Sequence, residues 1–418
     1  MPMSAAKDIP RVGGVGQPPE PDAIRTLVER YDADVFDAHG RVTRVRLLLL
    51  DGEGWDVLIV DGVATLVPPT GHPDAVLSAD ARTWRQITLA PSRAMDAYRS
   101  GRLSVRHNMH VGVGFLAATS GDTRPGRLRF ASVDAGGRRL SIMEAGTGQP
   151  VVALHGLGAT KGSFLPTVVA LADRFRVIAV DQPGFGDSDK PIAAAYDARF
   201  FADAAVDLLD ALELERAHLI GNSLGGRVAL EIGLRYPSRV GGIGLLAPSL
   251  AWRRGRPLVP LLRLARPELG LVQLAPRPLI EGIVHRLIPD AEEGWTAAGV
   301  DEFLRAYLTR SGRAAFYAAA RQIYLEQPHG EQGFWTRLEG LEADALFIWG
   351  RHDRLVPLAF ARHVAEALPR ARHLELDCGH VPQIELPGQT HAALGEFFTL
   401  LPGRLPRRRF LDATGPAG

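Results

Sequence analysis

Cysteine and lysine are scarce in this sequence. A single cysteine, Cys378, stands among 418 residues, which excludes an internal disulfide and fits a reducing compartment. Only three residues are lysines, so arginine supplies most of the 48 basic residues, and we interpret this excess as coding bias. Because 47 acidic residues leave a formal charge of only +1, no global field would attract nucleic acid. The composition therefore predicts no nucleic-acid partner.

Long hydrophobic runs are also missing. The longest apolar stretches, such as Leu47–Leu50 and Val57–Val60, are far shorter than the ~20 residues that cross a bilayer. The first 17 residues carry Lys7, Asp8 and Arg11 without a continuous apolar core, which is not the pattern of a secretory signal. The sequence therefore predicts a cytoplasmic protein without a transmembrane segment.

The chain is long for one hydrophobic core, because a single core stops growing at about 250–300 residues. Two domains are therefore expected. The periodicity loosens between Gly112 and Gly148, and the turn-forming stretch Ser120–Arg127 marks the boundary. The expected order is a flexible amino terminus (1–19), an α+β domain (20–120), a linker (121–126), a larger domain (127–401) and a flexible tail (402–418).

The larger domain alternates short apolar runs with longer helical patterns, which is typical of a doubly wound, mostly parallel α/β sheet. A predicted hairpin, 127–133 with 138–144, opens it, and helical patterns lie at 164–175 and 201–212. The strands that follow the hairpin are predicted at Val151–Leu154, Arg176–Val180, Ala217–Ile220, Val240–Leu246, Ala345–Trp349 and Arg372–Leu376. In such sheets ligands bind beyond the carboxyl ends of the strands, so the chemistry is expected there.

The run Gly221-Asn-Ser-Leu-Gly225 stands between a predicted strand and a helical pattern that starts near Arg227. Strand, Gly-x-Ser-x-Gly and helix is the order of a nucleophile elbow, in which glycines on both sides permit a very tight turn. The helix amino terminus also favours the negative charge that develops in acyl transfer. A small-residue turn is the alternative in a chain with 45 glycines, but this context predicts Ser223 as a nucleophile.

A second glycine-rich loop, His155-Gly-Leu-Gly158, follows the first parallel strand. Its flexible backbone can direct an amide N–H toward the space above Ser223. We therefore predict Leu157 and Leu224 as oxyanion-hole donors through their backbone N–H groups, with an ordinary strand-to-helix loop as the alternative. His155 is expected to be a structural residue of this loop, because a later histidine fits the role of base better.

Two later strand ends supply the candidate base and acid. Asp353 and His380 each come just after a predicted strand. The order nucleophile, acid, histidine is the order in which this type of elbow is used, so we predict His380 as general base and Asp353 as the carboxylate that orients it. The neighbouring residues that compete for these roles are Arg351, His352 and Asp377.

Residues 130–400 resemble an α/β-hydrolase-fold enzyme. The ordered motifs that carry the resemblance are His155–Gly158, Asp181–Ser188, Gly221–Gly225, Gly350-x-x-Asp353 and Gly379-His380. The resemblance implies a Ser-His-Asp hydrolase that needs no metal or other cofactor, with the Asp181 loop shaping the wall of the site. A serine nucleophile argues against the related haloalkane dehalogenases and epoxide hydrolases, which place aspartate at that position.

Hydrolysis of a carboxylic ester of an apolar, lipid-like or steroid-like substrate is the function that we predict first. Gly-Asn-Ser-Leu-Gly-Gly also resembles the nucleophile segment of the meta-cleavage-product hydrolases, which cut a carbon–carbon bond in aromatic or steroid ring-cleavage products. Those enzymes typically carry tryptophan directly after the catalytic histidine, whereas Val381 stands here. A lipid-binding protein with an inactive hydrolase domain is a further alternative, against which the complete triad argues.

Between about 252 and 335 the strand pattern stops, and prolines break a series of helical patterns, which predicts a lid that sets substrate choice. The first part of this segment, Trp252–Arg286, contains seven arginines but only two glutamates, Glu268 and Glu281. Packed lid helices with solvated arginines are favoured over the recognition of an anionic lipid or acid group.

The front segment, 20–120, begins with predicted antiparallel strands at 42–50, 55–60 and 62–67. The segment as a whole, about 100 residues, resembles the sterol carrier protein 2 family, in which a curved sheet and helices enclose an apolar lipid tunnel. The stretches that carry this resemblance are Ala79–Trp84, Ser92–Val105 and Asn108-Met109. The resemblance implies a lipid-binding domain and a transient lipid or membrane contact, but it assigns no ligand-binding residue. An accessory or dimerisation domain is the alternative, and the oligomeric state stays open.

Overall fold

The computed structural model describes residues 22–36, 42–91, 93–252, 259–264, 276–288 and 293–401. The predicted flexible ends, 1–19 and 402–418, lie outside these residues, as do four of the seven lid arginines. The described residues fall into two compact units that divide between Asp122 and Thr123, and a short segment ending at Gly294 is grouped with the first unit. Among the described residues no helix is both long and apolar enough to cross a membrane.

The first unit contains a five-stranded sheet. Its strands are β1 (Thr43–Leu49), β2 (Gly54–Val60), β3 (Val63–Val67), β4 (Ala75–Ala79) and β5 (Leu103–Arg106), and its helices are α1 (Asp22–Glu29), α2 (Ala81–Leu89), α3 (Arg93–Arg99) and α4 (Met109–Ala118). The strand order is β3-β2-β1-β4-β5, with β1 and β4 parallel and the other pairs antiparallel. Alternate residues such as Val45, Leu47 and Leu77 are fully buried, so one face of the sheet packs into a core.

The structure differs from the sequence analysis of the front segment in two ways. The chain stays regular past Gly112, because α4 continues to Ala118. Glycine at position 114 allows close packing inside this helix, since an added Cβ there would lie 2.4 Å from the ring of Phe36. The sequence analysis also did not predict β4, a five-residue strand that pairs parallel with β1.

The second unit is built on an eight-stranded sheet. Its strands are β6 (Arg129–Ala135), β7 (Arg138–Ala145), β8 (Gln149–Leu154), β9 (Phe175–Val180), β10 (Ala217–Asn222), β11 (Val240–Leu246), β12 (Ala345–Gly350) and β13 (Arg372–Leu376). The order is β13-β12-β11-β10-β8-β9-β7-β6. The six strands from β13 to β9 in this order are parallel, whereas β7 pairs antiparallel with β9 and β6. The predicted α/β class with a mostly parallel sheet is confirmed.

Helices connect these strands and surround the sheet. The helices outside the lid are α5 (Leu165–Leu171), α6 (Ala198–Ala211), α7 (Leu224–Arg235), α13 (Ala359–Ala367), α14 (Pro382–Glu385) and α15 (Pro387–Leu400), with short 3-10 helices at Lys161–Phe164 and Pro237–Arg239. Between β11 and β12 lie α8 (Val259–Leu264), α9 (Arg277–Leu287), α10 (Glu293–Tyr307), α11 (Arg310–Leu325) and α12 (Phe334–Glu339). This helical insertion stands in the segment from which a lid was predicted.

The predicted helix at 164–175 was too long. The α-helix ends at Leu171, and Phe175 is the first residue of β9, where it pairs with Gln149. Phe175 is buried in that strand, and it happens to fall at helical spacing from Leu171. Periodicity alone cannot separate the last apolar residue of a helix from the first residue of the buried strand that follows.

Candidate active site

Ser223 occupies the tight turn between β10 and α7. Its backbone has a φ of 52° and a ψ of −114°, a positive φ that residues with a side chain rarely adopt. An added Cβ at Gly221 would lie 2.3 Å from the carbonyl oxygen of Gly225, and one at Gly225 would lie 1.9 Å from that of Leu154. Both positions of the motif therefore require glycine, as the nucleophile-elbow pattern predicts.

Three backbone hydrogen bonds hold the serine turn against the neighbouring strand and helix. The N–H of Ser223 donates to the carbonyl of Leu246 at 3.0 Å. The carbonyl of Ser223 accepts from the N–H of Arg227 at 3.1 Å and from that of Ser249 at 2.9 Å. The unusual backbone conformation of Ser223 is therefore fixed by structure on both sides of it.

The imidazole of His380 lies against the carboxylate of Asp353. Nδ1 of His380 is 2.7 Å from Oδ2 of Asp353, and both side chains are buried. The other oxygen, Oδ1, accepts the N–H groups of Leu355 at 2.8 Å and Val356 at 2.9 Å. Because both oxygens of Asp353 are held by hydrogen bonds, the carboxylate can orient the ring with its Nδ1 protonated and leave Nε2 as the acceptor.

The competing residues take other positions. Asp377 is mostly exposed, and its Oδ1 lies 2.8 Å from Nε2 of His352 on the surface. Arg351 is also exposed and faces Glu375 at 3.6 Å. The structure thus brings His380 together with Asp353 and not with Asp377.

Two residues that the sequence reasoning did not single out hold the backbone around His380. The side-chain Nδ2 of Asn222, the residue before Ser223, donates to the carbonyl of His380 at 3.0 Å. The carboxylate of Glu385 accepts the N–H groups of Gly379 and Val381, each at 2.9 Å. The middle positions of the Gly-x-Ser-x-Gly motif accept many residue types, and an acid five residues after a histidine has no distinctive pattern, so neither residue was evident beforehand.

The loop after β8 passes beside the serine. An added Cβ at Gly156 would lie 3.3 Å from Cβ of Ser223, so the peptide that follows, with the N–H of Leu157, belongs to the same region. Leu224 is the first residue of α7, and the first N–H groups of a helix have no partner inside the helix. The N–H of Leu157 thus belongs to the β8 loop beside Ser223 and that of Leu224 to the first turn of α7, and their role as oxyanion donors stays a prediction.

His155 holds this loop in shape. Its Nε2 accepts the N–H of Gln182 at 3.0 Å, and its Nδ1 lies 2.8 Å from the carbonyl of Gly156. The side chain is fully buried, and burial holds the pKa of His155 below its ordinary value. A neutral imidazole that joins two loops fits the structural role expected for this residue.

The loop that begins at Asp181 is organised by a buried ion pair. Nζ of Lys161 lies 2.6 Å from Oδ2 of Asp181, and both side chains are buried. Burial alone would raise the pKa of Asp181, but the ammonium of Lys161 and other neighbours hold it below its ordinary value. Further along the loop, Asp187 accepts Nη1 of Arg305 from α10 at 2.7 Å. These charges are satisfied by ion pairs and hydrogen bonds of the loop, and its role in shaping the wall of the site stays a prediction.

Aromatic side chains of α10 and α11 lie over the glycine-rich loop. An added Cβ at Gly158 would be 2.9 Å from the ring of Phe303 and 3.2 Å from that of Phe316. These two rings meet edge to face, with centroids 5.4 Å apart, and Tyr307 stacks on Phe303 at 5.1 Å. The insertion therefore presents apolar rings close to the loop that carries Leu157.

Comparison with known proteins shows that residues 149–387 match the family described as alpha/beta hydrolase fold. 2-Hydroxymuconate semialdehyde hydrolase from Pseudomonas sp. (strain CF600) is 30% identical over 280 residues, which cover 63% of this chain and 91% of that relative. 2-Hydroxy-6-oxo-6-phenylhexa-2,4-dienoate hydrolase from Comamonas testosteroni is 32% identical over 257 residues, which cover 58% of this chain and 85% of that relative. Among solved structures, a bacterial membrane phospholipase A is 26% identical, with a TM-score of 0.52 over 65% of this chain and 86% of that one. The chain belongs to the alpha/beta hydrolase fold family.

Proposed function

We propose that this hydrolase cleaves a carbon–carbon bond in an aromatic or steroid ring-cleavage product, with Ser223 as nucleophile, His380 as general base and Asp353 as the orienting carboxylate. The observation that carries the catalytic roles is the buried 2.7 Å contact between His380 and Asp353, beside the strained serine turn. Ester hydrolysis was the first expectation from sequence. Two relatives at 30% and 32% identity that act on ring-cleavage products favour the carbon–carbon alternative.

The proposed reaction begins with the keto tautomer of the substrate, in which the bond to be broken joins a ketone to a methylene carbon, and this methylene is attached to a carbon–carbon double bond conjugated with a second ketone. Oγ of Ser223 attacks the first carbonyl while Nε2 of His380 takes the hydroxyl proton. Collapse of the tetrahedral oxyanion breaks the carbon–carbon bond, and its electron pair enters the conjugated system as a dienolate. The imidazolium of His380 then returns the proton to this leaving group.

Release of the acyl group uses the same residues. His380 takes a proton from water as the water oxygen attacks the acyl ester on Ser223, and it then returns this proton to Oγ of Ser223, so the products are a carboxylic acid and the free serine. Throughout both halves the oxyanion needs fixed donors, and the N–H groups of Leu157 and Leu224 are proposed to supply them. The carboxylate of Asp353 is proposed to stabilise the imidazolium in each half.

The surroundings of Gly158 support a substrate with an apolar, aromatic substituent. Phe303 and Phe316 lie within contact distance of a side chain added at this glycine, so they would face any group held above the β8 loop. Ring–ring contacts with offset or edge-to-face geometry stabilise by about 0.5–1.5 kcal/mol beyond the burial of area. We therefore propose that the insertion selects substrates whose acyl group carries an aromatic or similarly apolar ring.

A pair of substrates with one acyl group tests the proposal. 2-Hydroxy-6-oxo-6-phenylhexa-2,4-dienoate and 4-nitrophenyl benzoate both deliver a benzoyl group to Ser223, so they share the acyl group and differ in the leaving group and in the bond that breaks. The proposal predicts a higher kcat/KM for the dienoate, followed by the loss of its conjugated absorbance. A higher kcat/KM for the ester, with no turnover of the dienoate, would show that the enzyme is an esterase.

Ester hydrolysis remains the second candidate because of one residue. Val381 follows His380 directly, at the position where the meta-cleavage-product hydrolases typically carry tryptophan. The similarity to a phospholipase A, at 26% identity, is in keeping with ester chemistry on the same fold. The same nucleophile, base and oxyanion donors serve both reactions, so the choice between them depends on the leaving group that the site accepts.

For the front segment we propose binding of a long-chain acyl or sterol-like ligand, as its resemblance to the sterol carrier protein 2 family implies. Support comes from the arrangement of a sheet with helices on it, since α4 contacts β1, β4 and β5. Buried apolar residues of this unit include Ile24, Leu27, Ile87 and Phe115. An accessory or dimerisation domain is the alternative.

A further inference from the structure

We propose that Glu385 is a positioning residue for His380, which holds the backbone of the histidine from both sides without touching the substrate. The inference rests on the proposed role of His380 as general base. It does not depend on whether the bond that breaks is a carbon–carbon bond or an ester.

The contacts of Glu385 enclose the histidine. Oε2 accepts the N–H of Gly379 at 2.9 Å, and Oε1 accepts the N–H of Val381 at 2.9 Å. These are the residues directly before and after His380. The N–H of Glu385 itself donates to the carbonyl of Val381 at 3.0 Å, so the carboxylate and the first turn of α14 form a closed set of hydrogen bonds. The side chain is 8% exposed, which shields these bonds from water.

A carboxylate is suited to this geometry because both of its oxygens accept hydrogen bonds and neither donates. Hydrogen bonds to an ionised group are roughly twice as strong as neutral ones, and two bonds from one rigid plane restrict rotation as well as distance. Glutamine has the same shape but offers one oxygen and one NH2 group. In Glu385→Gln one backbone N–H would therefore face another donor.

Two other residues restrain His380, but they act on different atoms. Asp353 fixes the imidazole through Nδ1, and Asn222 fixes the carbonyl of His380. Neither of them restrains the two peptide N–H groups that flank the histidine. A shift of the loop would move Nε2 relative to Oγ of Ser223, and misplacement of a catalytic group by about 1 Å can cost on the order of 10²-fold in rate.

Glu385→Gln tests the proposal against a matched control, Glu144→Gln. Glu144 lies on β7, is also buried, and its two oxygens accept Nε of Arg129 at 2.6 Å and Nε of Arg176 at 2.8 Å. With 4-nitrophenyl acetate, Glu385→Gln should lower kcat about 10- to 100-fold with KM nearly unchanged, while Glu144→Gln should keep the kcat of the unmodified enzyme. Equal kcat values for the two variants, at a temperature where both are folded, would overturn the proposal.

A spectroscopic measurement separates this inference from the proposed catalysis. The proton between Nδ1 of His380 and Asp353 should give a low-field NMR signal in the full-length protein labelled with 15N-histidine, and its loss in Asp353→Asn assigns it. The signal should persist in Ser223→Ala and Glu144→Gln and should broaden or exchange faster with water in Glu385→Gln. An unchanged signal in Glu385→Gln, or no such signal in the unmodified protein, would contradict the positioning role whatever the enzyme's substrate is. If Ser223→Ala keeps full turnover while the signal responds as expected, the catalytic proposal fails and the positioning role stands.

Discussion

The side-chain amide of Asn222 donates a hydrogen bond to the backbone carbonyl of His380 at 3.0 Å, across 158 positions of sequence. The same nitrogen lies 3.0 Å from the carbonyl of Leu246. Asn222 therefore joins the turn that carries Ser223 to the loop that carries the histidine. Because the amide is buried, breaking either bond would leave an unsatisfied polar group in the interior. The proposed nucleophile and base are thus held by one rigid connection.

Asp353→Asn should lower kcat by a factor on the order of 10⁴, because an amide at this position favours the imidazole tautomer that carries its proton on the wrong nitrogen. Asp377→Asn is the control, since the exposed Asp377 pairs with His352 on the surface. Steady-state kinetics of the two variants on one substrate make the comparison. If Asp377→Asn proved the more damaging change, the acid would have been assigned to the wrong loop.

Gly225→Ala should destabilise the fold by about 3 kcal/mol, because an added Cβ would lie 1.9 Å from the carbonyl oxygen of Leu154 and overpacking is costly. Gly388→Ala, in α15, adds the same methyl group where no atom lies within 4 Å. That variant should gain up to about 1 kcal/mol from helix propensity. Urea denaturation measures both, and equal stabilities would refute the close packing of the serine turn.

Acid should destabilise the protein through a buried histidine. Burial, with a smaller effect of Arg216, lowers the pKa of His218 to about 4. Between about pH 6.5 and pH 4, His218 is therefore protonated in the unfolded state but stays mostly neutral in the folded state. The free energy of unfolding falls as pH drops through this range. At pH 5 this costs about 2 kcal/mol. His155, whose pKa burial also lowers, acts in the same direction.

His218→Phe isolates this contribution, because the ring of His218 stacks on Phe398 with centroids 4.7 Å apart and a phenyl ring can keep that contact. The variant should lose less stability than the unmodified protein between pH 7.5 and pH 5, as measured by urea denaturation. An identical pH dependence in the two proteins would show that His218 does not carry the effect.

The front segment, expressed as residues 1–122, should fold and bind long-chain acyl ligands with an affinity that rises with chain length. Burial of each methylene stabilises by about 0.8 kcal/mol, so the affinity should climb until the site is filled. Titration with a series of fluorescent fatty acids measures it. An affinity that does not vary with chain length, or the lack of saturable binding, would favour an accessory or dimerisation domain.

The parallel sheet could be predicted from the sequence, and so could the loops that carry Ser223, Asp353 and His380, because each motif is local. Buried strands appear as continuous apolar runs, and the pattern around Ser223 combines a strand, two glycines and a helix in a few residues. Chain order allowed both Asp353, which we predicted, and Asp377 as the acid, and the 2.7 Å contact between His380 and Asp353 supports the prediction of Asp353. The α/β-hydrolase fold is confirmed, while the resemblance of the front segment to the sterol carrier protein 2 family stays a prediction.

Other features could not be predicted because they depend on contacts between distant parts of the chain. The strand β4 is only five residues long and lies between its partners β1 and β5. The periodicity loosens from Gly112 in the sequence, yet Gly112 and Gly114 lie inside α4, where a Cβ at position 114 would meet the ring of Phe36. Glu385 was missed because its importance lies in two backbone N–H groups, and those have no side-chain identity in the sequence.

The partition of the acyl group between water and methanol tests the central claim most directly. If Ser223 is acylated during carbon–carbon cleavage, 2-hydroxy-6-oxo-6-phenylhexa-2,4-dienoate and 4-nitrophenyl benzoate form the same benzoyl-enzyme. In a fixed mixture of water and methanol both substrates should then give methyl benzoate and benzoate in the same ratio, and Ser223→Ala should form neither product from either substrate. Formation of benzoate without methyl benzoate from the dienoate would contradict the account. Cleavage of the dienoate by Ser223→Ala would contradict it as well.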